Sequence, residues 1–284
     1  MQKKIEHILA GRPKQITKDE KVLQPLPHKD FRFANPFIVL HHLGPDAIAP
    51  GGKLRIHPHP HRGFAPVTFQ LQGEGYHKDN AGHESIIRPG DAQWMFAGKG
   101  ILHSEGPSEK LLQNGGIQEL IQIWVNVPQK HKWEEPSYQS ATIDQQPEIL
   151  RQEGVDLRLV SGKYEEETGP LKSFTPVISI IGTIEKGRRV QFSAMPGYWT
   201  LLYIIKGRIN IRQESVEEHN LIVFEKENDE VIICAEEDTQ ILYLSAAPLD
   251  EPVAAKDNFV MNTQEEVRQA MADYKEGVFG ILEY

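Results

Sequence analysis

This 284-residue chain holds a single cysteine, Cys234, so no disulfide can close within it. That suits a reducing compartment. Long apolar runs are missing as well. No stretch approaches the ~20 residues needed to span a bilayer, and Met1-Gln2-Lys3-Lys4-Ile5 lacks the apolar core of a secretory leader. The expected setting is the cytoplasm, with no membrane partner. Positive charge is the third shortage: 31 Lys and Arg face 40 Asp and Glu, a net charge of -9. Direct nucleic-acid binding is therefore not expected, because it needs concentrated cations along a phosphate backbone. Histidine is scarce in one half only. Eleven of the twelve lie at or before His131, and His219 alone lies beyond. A site made of several imidazoles can be assembled only from the first half.

What the chain does have is turn-formers, 23 Gly and 19 Pro, spread among short apolar runs. Runs at 37–40, 53–56, 66–71, 85–87, 93–96, 101–105 and 119–125 read as strands spaced about 8–12 residues apart, the pattern of a sandwich or barrel. From about 130 the pattern loosens around Trp133, Pro136, Tyr138 and Pro147. It then restarts at 176–181, 200–205, 209–212, 221–224, 231–234 and 240–244. The expected organisation is an all-β chain of two similar domains: 1–135, a connector over 136–160, and 161–284. Cys234, at the end of Val231-Ile232-Ile233-Cys234, is expected to be a buried core residue. Thr263 and Glu266 form a capping box, Val267, Ala270, Met271 and Tyr274 recur at helical spacing, and Gly277 marks the stop. This short C-terminal helix is assigned to the second domain.

The densest chemistry lies in His57-Pro58-His59-Pro60-His61-Arg62-Gly63. Along a strand, alternate side chains share a face, so His57, His59 and His61 point one way, with the prolines between them facing the other way. Neighbouring imidazoles on one face can grip one metal ion. About forty residues later, His103 and Glu105 are again two apart. The strand, turn and strand in between allow both pairs to face one barrel lumen. Trp94 and Phe96, with His57, are candidates for the wall of a substrate pocket. His77 and His83 flank Lys78-Asp79-Asn80-Ala81-Gly82 and read as solvated loop residues.

Together these segments resemble the pirin family of cupins. The resemblance rests on His59-Pro60-His61-Arg62-Gly63-Phe64, Gln93-Trp94-Met95, Ala97-Gly98-Lys99-Gly100-Ile101-Leu102-His103-Ser104-Glu105 and Phe259-Val260-Met261-Asn262-Thr263. It spans both halves. It implies two tandem cupin barrels, each a double-stranded β-helix or jelly roll, with a transition metal in the N-terminal barrel and a metal-free C-terminal one. By resemblance the ligands are His59, His61, His103 and Glu105. Four features depart from the pattern. His57 has the right face to compete as a ligand or to line the pocket wall. Gly52 lies one residue too far from His59 for a strict cupin fit. Ala65 stands where cupins place a carboxylate. His41-His42 stands where pirins usually carry acidic residues; a structural or pocket-edge role is expected for this pair.

Three imidazoles and a carboxylate leave two open positions on an octahedral ion. Such N/O ligation suits Fe, the first expectation, and also Mn, Co, Ni, Cu or Zn. The resemblance implies a dioxygenase of the quercetinase type, which cleaves a flavonol such as quercetin with O2. The partners would be a small aromatic substrate and O2, and Glu105 would be a general base. The other reading the family offers is a metal-dependent transcriptional co-regulator, a binding module with a protein partner and no turnover. Cupin barrels host many functions, so fold alone does not choose between the two.

Overall fold

A computed structural model describes residues 1–17, 20–52 and 56–283. Of the expected strand at 53–56, only Ile56 falls among them. The described residues contain twenty-six strands and two α-helices, in agreement with the all-β expectation. The chain divides into two compact units. One comprises residues 15–22, 37–143 and 249–284; the other comprises 1–14, 23–36 and 144–248. The units are therefore not contiguous in sequence, as the expected division at 135 and 161 assumed. The C-terminal helix belongs with the histidine-rich unit, and the first strand with the other.

In the histidine-rich unit one sheet runs Ser137–Ala141, Ala92–Phe96, Phe64–Gln72, Gly116–Asn126 and Phe37–Ile48 as antiparallel neighbours. A second sheet has the order Ile56–His61, Ile101–Pro107, Gly75–Asp79, Glu84–Ile87. Strand period 2 decides which side chains enter the barrel. In Gly116–Asn126, Ile121, Ile123 and Val125 are buried in the core, whereas Gln122 and Trp124 occupy the opposite face.

The helix Gln264–Lys275 starts at Thr263, whose hydroxyl accepts from the Glu266 N–H while the Glu266 carboxylate accepts from the Thr263 N–H. That is the capping box expected from sequence. Ala270 packs with Leu102, Phe259 and Phe279, and Val267 packs with Ala254 and Met261. Leu102 precedes His103, so this helix braces the outer face of a strand that carries a candidate ligand. Tyr274, expected on the apolar stripe, is 41% exposed.

The other unit has a seven-stranded sheet ordered Ile5–Ala10, Asn220–Phe224, Trp199–Lys206, Thr239–Ala246, Val177–Ile184, Val155–Ser161, Glu148–Gln152. Beside it is a four-stranded sheet. Its core is aliphatic and aromatic, with Phe192 stacked on Tyr243 at 4.7 Å. Cys234 is exposed, contrary to expectation. Val231 and Ile233 point into the core of this unit, and alternation turns Cys234 outward.

Candidate metal centre

His59 and His61 lie on the strand Ile56–His61, which pairs antiparallel with Ile101–Pro107 so that His103 sits opposite His59. The three imidazoles converge. Ring centres are 4.9 Å apart for His59 and His61, 4.3 Å for His59 and His103, and 4.8 Å for His61 and His103. One ring nitrogen from each can be chosen so that all three lie within 4.8 Å of one another. His61 and His103 are buried.

The donor set fits a transition-metal ion. Nε2 of His61 and both ring nitrogens of His103 are buried without a hydrogen-bond partner, although buried polar atoms are nearly always satisfied. An ion would supply the missing partner. The other nitrogens are partly committed: His59 Nδ1 is 2.9 Å from the His57 carbonyl, and His61 Nδ1 is 3.4 Å from that of Asn258. Such contacts fix the tautomer that frees Nε2. Burial, and then the neighbouring imidazoles, push the His61 and His103 rings well below the usual histidine range. They are therefore neutral, the form that binds metal.

Glu105 is not within that ligand distance of all three histidines. A register shift lies between His103 and Glu105, so that Glu105 pairs with Ile56. Its two carboxylate oxygens accept from Gln122 Nε2 at 3.1 and 3.0 Å, and Gln122 Oε1 accepts from Trp124 Nε1 at 3.2 Å. Trp124 in turn stands 5.6 Å from the His61 ring and 4.5 Å from that of Phe64. Gln122 and Trp124 were not singled out from the sequence. Their signal was their shared face, i and i+2, on a strand whose other face is apolar.

Glu105 and His59 line a cavity of about 460 Å³, together with Glu20, Asp46, Gln93 and His57. That is the size of a small-molecule site. Trp94 and Phe96 do not line it, contrary to expectation. Gln93 faces the cavity, so alternation turns Trp94 and Phe96 to the opposite side, where both are buried. His41 lines the cavity. His42 is buried, with Nε2 3.0 Å from the Glu119 carboxylate. This agrees with the pocket-edge and structural roles expected of the pair.

His77 is not a solvated loop residue: it is fully buried on the strand Gly75–Asp79. Its Nε2 is 3.2 Å from Asp79 Oδ2, and its ring stacks on Tyr138 at 4.7 Å. His83 also reaches Asp79, at 3.0 Å, and is only partly buried. Burial would raise the Asp79 carboxyl, but the hydrogen bonds from the His77 ring and the His83 backbone hold it below the usual carboxylate range.

The turn after His61 is clamped. Arg62 pairs with Asp273 at 2.6 Å, and its guanidinium lies 4.5 Å from the centre of the Phe279 ring. The buried Lys132 ammonium donates to the Gly63 carbonyl, the Asn126 side chain and the Val260 carbonyl.

Glu20 has a buried carboxylate oxygen without a partner. Burial, reinforced by Glu105 and Asp46, pushes its carboxyl up to about 7. An acid whose folded pKa is raised binds more protons folded than unfolded between about 4.5 and 7. Its stabilising effect is full below that window and is lost as pH rises through it. Glu20→Gln removes the penalty of the charged form. The metal-free variant is therefore expected to unfold at higher denaturant than the wild type at pH 8, by on the order of 2 kcal/mol, and at nearly the same denaturant at pH 4.5. Urea titrations at the two pH values measure this.

Two family models match the chain: pirin over residues 17–125, and the pirin C-terminal cupin domain over residues 181–280. The chain belongs to the pirin family. A relative in Pseudomonas aeruginosa, named provisionally a quercetin 2,3-dioxygenase, is 34% identical over 247 residues, 86% of each chain. The crystal structure of a quercetin 2,3-dioxygenase from Acinetobacter baumannii superposes with a TM-score of 0.94 at 32% identity over the whole of both chains. A bacterial pirin from Escherichia coli, solved in complex with nickel(II), shares the fold. Its TM-score is 0.67 at 19% identity, covering 86% of this pirin and 99% of that chain. The two tandem cupin barrels expected from the sequence are thus present.

Proposed function

We propose that this pirin is a metal-dependent dioxygenase that opens the heterocycle of a flavonol such as quercetin with O2. The ion would be held by His59, His61 and His103, with iron as the first choice; Glu105, outside their reach as it stands, would become a fourth donor only by swinging its carboxylate away from Gln122. The observation that carries this reading is the trio of converging imidazoles, two of them buried with unpartnered nitrogens, beside a cavity of about 460 Å³. A redox-active ion at such a site supplies Lewis acidity toward a substrate oxygen and a route for electrons to O2.

The chain's own residues do the rest. The cavity excludes bulk water from one face of a bound aromatic. Glu105 is a carboxylate lining the same cavity as His59, and it accepts the proton of the flavonol hydroxyl when that oxygen comes within about 2.6–3.2 Å. Gln122, fixed by Trp124, keeps the carboxylate oriented toward the cavity. Glu20 and Asp46 can accept hydrogen bonds from the ring hydroxyls of a polyphenol.

Glu105→Gln tests the assignment. The amide keeps the shape but cannot take a proton, so quercetin-dependent O2 uptake is expected to fall by about 10²–10⁴-fold. The three imidazoles should still hold close to one ion per chain. Uptake by the metal-loaded variant equal to that of the wild type would remove Glu105 from the chemistry. Bound ion with no consumption of any flavonol by the wild type would favour a binding role over turnover.

A further inference from the structure

A second histidine layer lies behind the ligand trio. The His77 and His103 ring centres are 5.4 Å apart with their planes 42° from parallel. His77 is wholly buried, as is His103. Nδ1 of His77 has no hydrogen-bond partner, and neither has either nitrogen of His103. One ion accounts for only one nitrogen of His103. The other is left as an N–H in a dry site, where an unmade hydrogen bond is destabilising.

Asp79 decides what His77 can offer. Its Oδ2 lies 3.2 Å from His77 Nε2, and its Oδ1 accepts the backbone N–H of Ala81 at 2.9 Å and of His83 at 3.0 Å. A carboxylate so placed takes the His77 Nε2–H, which leaves Nδ1 with a lone pair. Tyr138, stacked on His77 with planes 19° apart, limits the tilt of the ring. Tyr138 is itself tied to Gln93 Oε1 at 2.8 Å. The bond is not made as the rings stand; histidine χ2 sits in a broad well, and the contact requires one of the two rings to turn within it.

We infer that His77 is a positioning residue for the metal centre: its Nδ1 accepts the outer N–H of His103, and Asp79 fixes the tautomer that makes this possible. The inference rests on the proposed metal site. Metal-bound histidines generally donate their second nitrogen to an outer acceptor, and losing that acceptor weakens binding. Here the acceptor is another imidazole, backed by a carboxylate. The chain Asp79–His77–His103 orients His103 and makes it a stronger donor to the ion.

Two measurements test it. Nitrogen-15 NMR of histidine-labelled, metal-free wild type reports the tautomer directly: His77 is expected as Nε2–H, and an Nδ1–H tautomer would overturn the inference without any variant having to fold. Chelator competition with Co(II) then compares the wild type with His77→Phe, which keeps the stacking on Tyr138 but accepts nothing, and with His77→Asn, whose side-chain oxygen falls near the Nδ1 position. The expected result is Co(II) affinity weakened about 10–100-fold in His77→Phe and largely restored in His77→Asn, with similar thermal midpoints for the two metal-free variants. A purely structural role would move those midpoints and leave Co(II) affinity unchanged; unchanged affinity in folded His77→Phe sinks the inference. Failure of the wild type to bind Co(II) would instead overturn the metal centre itself, and this inference with it.

Discussion

His61→Ala is expected to lose the bound ion and, with it, all flavonol-dependent O2 uptake above background, while remaining folded. Loss of an outer-layer partner already weakens metal sites by about 10–100-fold, so removing a ligand should cost at least ~10²-fold in affinity. The fold should survive for a reason visible in the site. His61 is buried with Nε2 unpartnered, and its Nδ1 contact to Asn258 is long at 3.4 Å. Deletion leaves a hole, but it also removes a buried polar atom whose unmet bond costs about 1–3 kcal/mol. Metal analysis after dialysis, set beside the far-UV spectrum and thermal midpoint of the metal-free protein, separates the two effects. An ion retained at one per chain would show that His61 is not a ligand.

The second large effect is expected at Gly63, and it acts on stability and site together. Gly63 has φ +84, and a Cβ there would lie 2.2 Å from the Val260 carbonyl oxygen and 2.6 Å from Met261 Sδ. No rotamer relieves a clash with backbone. The carbonyl that must move is one of the three acceptors of Lys132, and the Gly63 carbonyl is another. Gly63→Ala therefore adds the loss of a buried clamp to the ordinary cost of a left-handed alanine, for a total of about 3–5 kcal/mol. Gly187 is the matched control. It has φ +81 and nothing within 4 Å of a built Cβ, so Gly187→Ala should cost only about 1–2 kcal/mol. Because Gly63 lies two residues past His61, its variant should also bind metal more weakly, and the control should not. Equal destabilisation of the two variants in guanidinium titrations would contradict the packing argument.

The architecture and the histidine trio were legible for the same reason. Alternation along a strand is a local rule, and the His59-x-His61 spacing obeys it. What was missed depends on knowing which face of a strand is inside. Trp94 and Phe96 look like pocket residues because they are aromatic, yet Gln93 takes the cavity face. His77 looks like a loop residue because Gly82 and Asn80 follow it, yet the strand runs on to Asp79 and carries both side chains into the interior. Gln122 is a polar residue between two buried isoleucines, a pattern that reads as a solvated face until a second sheet covers it. Glu105 kept its expected cavity, but it stands apart from the histidine cluster because the register shifts beside it. The exchange of terminal segments between the two units arises from long-range pairing, such as Ile5–Ala10 with Asn220–Phe224, which no local pattern encodes.

One ion, gripped by these three imidazoles, is proposed to turn the cavity into an oxygenase. Stepwise addition of Fe(II) to metal-free wild type, with O2 uptake on quercetin followed at each step, tests it most directly. Uptake should be absent at the start, rise in proportion to added iron and level off at one equivalent per chain. Uptake without any metal, or a fully loaded protein that consumes neither O2 nor quercetin with iron or any other redox-active ion, would contradict the account.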